Sequence, residues 1–119
     1  MESGAIESVL TRFRSLGLPE RTGLVLVRAY MVQAPGYVDA VERAHARGDT
    51  VALRRAYHSL LGASANVGLS EITEGCRALR KTVIAASEPA ADPAVAQAVV
   101  ELVEASRAAH ELLARWLGD

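Results

Sequence analysis

Ala56-Tyr57-His58-Ser59-Leu60-Leu61-Gly62-Ala63-Ser64-Ala65-Asn66-Val67-Gly68 is the stretch around which the rest of the chain is organised. Residues three and four apart are neighbours on a helix, so His58, Leu61, Gly62 and Ala65 share one strip, with Arg54 and Arg55 a turn earlier. A second strip is apolar. Leu53, Ala56, Leu60, Ala63 or Ser64, and Val67 recur in steps of three and four and face a core, which turns His58 toward solvent. Gly68 is placed for a left-handed exit from the helix, a conformation that a side chain would oppose.

Upstream, Gly48 and Asp49 form a stop-start pair, the glycine ending one helix and the aspartate capping the next, so the two helices are antiparallel neighbours. The preceding element opens at Pro19 and carries Leu24, Val27, Met31, Ala34, Val38, Val41 and Ala44 at helical spacing. That phase passes through Pro35 and Gly36, which predicts one long helix over about 20–47, kinked at the proline. Before it, Ile6, Val9, Leu10, Phe13 and Leu16 define a short amphipathic helix over 5–16, with Ser3 as cap and Gly17 as stop.

Downstream of the histidine helix, which spans about 50–66, the stripe Leu69, Ile72, Cys76, Leu79 and Val83 defines another helix. Gly75 within it implies close approach by a neighbouring backbone. Residues 85–92 read as a linker, after which Asp92 and Pro93 open a last helix with Val95, Val99, Leu102, Ser106, Ala109, Leu113 and Trp116 inward and Gly118 as stop. The expected fold is all-α: an antiparallel up-down four-helix bundle over about 20–117 with a short extra N-terminal helix, in a single domain spanning 1–119.

Composition agrees. Half of the 119 residues are apolar, yet only five are Phe, Trp or Tyr, so the core is built of Ala, Val and Leu and suits closely packed helices. A net charge of -1 gives no reason to expect nucleic acid or an anionic membrane as partner. The single cysteine, Cys76, cannot form an internal disulfide and reads as a small buried hydrophobe, and no Cys/His set has zinc-ligand spacing. Acidic residues stand where a signal peptide would be basic, and no apolar run reaches membrane-span length, so the expectation is a cytoplasmic, soluble monomer.

The central stretch resembles the signature of the histidine-containing phosphotransfer (HPt) family, approximately His-x-Leu-Lys-Gly-Ser-Ser-Ala-Asn-x-Gly. His58, Leu60, Gly62, Ser64, Ala65, Asn66 and Gly68 stand in register, while Leu61 replaces the family lysine and Ala63 the first serine. The helical layout extends the resemblance over about residues 20–117. It implies that His58 is a phosphoacceptor in a His-Asp relay and that the partners are a response-regulator receiver domain and a hybrid histidine kinase. It implies too that the receiver brings the aspartate and Mg²⁺, leaving this chain with no cofactor and no metal of its own.

The residues are compatible with that role. An exposed imidazole is mostly neutral at pH 7, and its free ring nitrogen is a good nucleophile toward phosphorus. No phosphate loop, paired carboxylate or nucleotide signature accompanies it, so the chain reads as a carrier, not an enzyme. Gly62, with Ala63, Ser64 and Ala65, keeps the surface beside the ring low for a docking receiver, and Arg54, Arg55 and Leu61 complete the expected docking surface. The family position twenty-two residues after the histidine often holds Glu or Gln; here it is Arg80, which can only donate, and which could return the charge lost at Leu61. A second reading stays open, in which Leu61 enlarges an apolar surface and the chain docks a receiver or another helical partner without being phosphorylated. His45, near the end of the long helix, reads as a dipole partner, and His110 flanks the stripe of the last helix.

Overall fold

Capping chemistry cuts the chain close to where its local signals place the cuts. A computed structural model describes residues 4–118 and contains five α-helices: α1 (Gly4–Leu16), α2 (Glu20–Ala46), α3 (Thr50–Val67), α4 (Ser70–Ala85) and α5 (Pro93–Leu117). Among the described residues there is no strand, and no helix is long and apolar enough to cross a membrane. The Ser3 cap expected for α1 falls outside the described residues.

Asp49 caps α3 by accepting a hydrogen bond from the Ala52 amide at 3.0 Å, and Asp92 caps α5 by accepting from the Ala94 amide at 2.8 Å. Each satisfies one donor of a first turn that has no intrahelical partner. The segment read as linker is partly ordered by local bonding, because Pro89–Ala91 forms one turn of 3-10 helix. Helix α2 runs unbroken through Pro35. The proline supplies no amide to the carbonyl of Met31, and the burial of Val27, Ala34, Val38 and Val41 on either side outweighs that lost bond.

Helix α2 packs on α3 and α5, and α4 packs on α3 and α5, so the four long helices close into a ring around one core. Short connections make sequential neighbours antiparallel. Leu60, Leu69, Ile72, Leu79, Leu113 and Cys76 lie wholly inside. Burial pushes the Cys76 thiol up to about 12, which keeps it protonated and inert.

The inward faces differ from the expected stripes at several positions. Leu24, Met31, Ala109 and Trp116 are only half-buried, while Tyr30, Tyr57, Thr73 and Val103 are buried. Gly75 faces the Leu102 side chain of α5, to which an added Cβ would come within 3.0 Å, so a side chain and not a backbone makes the close approach. His45 lies in the last turn of α2, but its Nε2 is buried without a hydrogen-bond partner.

Helix α1 lies against α3, α4 and α5. Phe13 covers Gly23 so closely that a Cβ there would run into the ring, and Ser8 donates to the Gly68 carbonyl at the α3–α4 turn. Gly68 itself has φ +79°, and a side chain on it would also meet Arg12 of α1. Conformation and packing both require glycine at this turn.

Candidate functional site

The central stretch divides into residues that build the core and residues that face outward. Leu60 is fully buried and Gly68 ends α3. Ser64, also fully buried, shares a hydrogen bond of 2.9 Å with the hydroxyl of Thr73 on α4. One hydroxyl donates to the other, and the one that accepts donates back along its own segment, Ser64 to the Leu61 carbonyl or Thr73 to the Leu69 carbonyl. The pair is thereby satisfied in a largely apolar interior, where an unpaired hydroxyl would cost about 1–3 kcal/mol. The choice left open between Ala63 and Ser64 falls on Ser64, with Ala63 half-buried.

On the outer side, His58, Arg54 and Arg55 are exposed. Gly62 is exposed as well, and an added Cβ would meet nothing within 4 Å. Helix packing therefore does not account for this glycine. Leu61 and Ala65 are half-buried instead of fully exposed, because each leans into a different groove flanking the ridge of α3.

One of those grooves holds most of the expected site. Arg54, Arg55, Tyr57, His58 and Leu61 of α3 and Arg80 and Ile84 of α4 line a cavity of about 540 Å³ open to solvent. The structure thus brings Arg80 to the same side of α3 as the histidine. Gly62 does not line this groove, and Ala65 lines the neighbouring one beneath α1 with Arg12, Gly68, Ser70 and Arg77. The expected docking residues consequently lie along the ridge and on both its flanks.

Two groove residues were missed by the sequence reading. Tyr57 stands four residues after Leu53 and three before Leu60, a helical spacing that could have placed it on the edge of the core stripe. Its residue surface is only 4% exposed. Burial raises the phenol pKa, against the opposing influence of Arg54 and Arg80, so the hydroxyl stays protonated and available as a donor. Ile84 follows Arg80 by one turn and is 67% exposed, a large apolar side chain left in water.

No carboxylate lines this groove, although three guanidinium groups do. Among the described residues no cluster of three or more His, Cys, Asp or Glu could hold a metal ion. Chemically, the groove offers one nucleophilic ring, several positive hydrogen-bond donors and an apolar rim.

A family model described as Hpt domain matches residues 25–110, a span from the first turns of α2 to most of α5. No curated protein and no solved structure matches the chain.

Proposed function

Because the chain belongs to the Hpt domain family, we propose that it is a phosphoryl carrier of a His-Asp relay, with His58 as the group that accepts and passes on the phosphoryl unit. Membership carries phosphotransfer with receiver domains and kinases at the level of the family. The assignment to His58 rests on one observation: an exposed imidazole stands one turn before a glycine with open space around it, on the family motif. The closed ring of helices supports an up-down four-helix bundle as the scaffold, with α1 as an accessory to one domain.

In the transfer step, the lone pair of the unprotonated ring nitrogen forms a bond to phosphorus as the acyl phosphate P–O bond of the donor aspartate breaks. The aspartate leaves as a free carboxylate, and the reverse step hands the group to an acceptor. The receiver supplies Mg²⁺ and the groups that neutralise the moving charge, so this chain is a carrier and not a catalyst. Arg54, Arg55, Leu61, Gly62 and Ala65 form the docking surface, and Arg80 offsets phosphoryl charge in place of the absent lysine. The chain acts in the cytoplasm as a monomer.

His58→Gln is expected to abolish acid-labile, base-stable labelling by a phosphorylated receiver while leaving the helical circular dichroism unchanged. Label surviving on His45 or His110 would sink the assignment. The apolar rim formed by Leu61 and exposed Ile84 favours the second reading, an unphosphorylated docking module, and the same assay separates the two. A docking module would bind the receiver and take no label at all.

A further inference from the structure

The three arginines beside His58 contrast with others on this surface. Arg77 meets Glu74 at 2.5 Å, and Arg107 meets Glu42 at 3.0 Å and Asp39 at 3.2 Å. The chain is not short of acids, with 14 Asp and Glu against 13 Lys and Arg. Yet Arg54, Arg55 and Arg80 line one groove with no carboxylate among its walls. Like charges gathered in a concave site raise the local potential and attract an anion.

The groove also has a fixed element. Tyr57 is held by the core, so its phenol does not wander as the long arginine side chains do. Arg54 of α3 and Arg80 of α4 line the same groove as that phenol, one from each helix. The walls of the groove thus combine forked cations and a protonated hydroxyl with His58, a donor set matched to the oxygens of a tetrahedral anion.

We propose that the α3–α4 groove is a binding site for phosphate dianion, in which Arg54 and Arg80 bracket the anion and the Tyr57 hydroxyl donates to one of its oxygens. The site holds the phosphoryl group once it is on His58, and that use rests on the carrier reading. Because its walls are already in place, it also takes free inorganic phosphate before any transfer. Tyr57 is here a positioning residue: it gives the anion one donor held in place by the core.

Inorganic phosphate, titrated into the whole chain at constant ionic strength with chloride as the balancing ion, tests this directly. Saturable NMR shifts are expected at the Arg54 and Arg80 side chains, the Tyr57 amide and the His58 ring. Arg54→Gln and Arg80→Gln should each weaken phosphate about two- to fivefold, as for partly exposed ion pairs. Tyr57→Phe keeps the buried ring and should weaken it about two- to tenfold, the range for one lost hydrogen bond. Tyr57→Phe should also shorten the lifetime of phosphohistidine made with phosphoramidate, in a chain that remains fully helical.

Shifts that never saturate, or that survive Arg54→Gln, Arg80→Gln and Tyr57→Phe unchanged, would overturn the site. Phosphate binding without receiver labelling would refute the carrier role and leave the site standing. Labelling without phosphate binding would refute the site alone.

Discussion

Two faces of the molecule use arginine in opposite ways. Where α2 meets α5, Arg107 reaches across to Asp39 and Glu42, and these carboxylates hold its guanidinium above the ordinary arginine range. Where α3 meets α4, Arg54, Arg55 and Arg80 gather around His58 with no carboxylate in the groove. The first arrangement is complete in itself. The second has no acidic wall of its own, and on the proposed reading an anion completes it. Whether nearby charges are already answered separates an arginine that ties helices together from one that waits for a ligand.

The contrast can be broken most sharply at Gly62, on the ridge above the open groove. Gly62→Gln should impair receiver docking on the order of tenfold by obstructing approach, the cost of one misfitting side chain within a packed interface. The same change should stabilise the fold by up to about 1 kcal/mol, since glutamine is the better helix former and the added atoms meet nothing. Surface plasmon resonance and urea unfolding would report the two effects separately. Undiminished affinity would move the docking face elsewhere.

A smaller effect is expected at Leu61. Leu61→Lys adds a fourth cation to the groove and should lengthen the phosphohistidine lifetime about two- to fivefold, the scale of a solvent-screened ion pair. Loss of receiver binding in that variant would instead assign leucine to apolar docking. The least change is expected on the paired face, where Arg107→Ala should cost under about 1 kcal/mol in urea unfolding and leave transfer rates unaltered. A transfer defect there would erase the distinction between the two faces.

Helix ends were legible in the sequence because capping is local chemistry. Asp49, Gly68 and Asp92 each act within a few residues of where they stand, and the family model covers all but the ends of the chain. The tyrosines were not legible. Tyr30 and Tyr57 present an apolar ring and a polar tip, and only the neighbouring helices decide that both rings go inside. The same holds for Gly23, whose reason is Phe13 on a helix the family motif does not include, and for Gly75, whose neighbour is Leu102. Arg80 was found by its distance along the chain from the histidine. Ile84 and the groove itself depend on the relative rotation of α3 and α4, which periodicity within one helix does not contain.

That rotation is anchored by the buried hydroxyl pair of Ser64 and Thr73. At a rise of 1.5 Å per residue, His58 lies about 9 Å back along α3 from Ser64, and Arg80 lies about 10.5 Å forward along α4 from Thr73. The helices run in opposite directions, so both displacements point toward the same end of the molecule and come out level. The pair acts as the zero mark of a ruler laid along two rods. A residue inserted between the mark and Arg80 would leave both rods intact and swing the guanidinium by about 100° around its axis, out of the groove. The 22-residue interval between histidine and arginine is thus a length measured through the interior, and two small hydroxyls keep it calibrated.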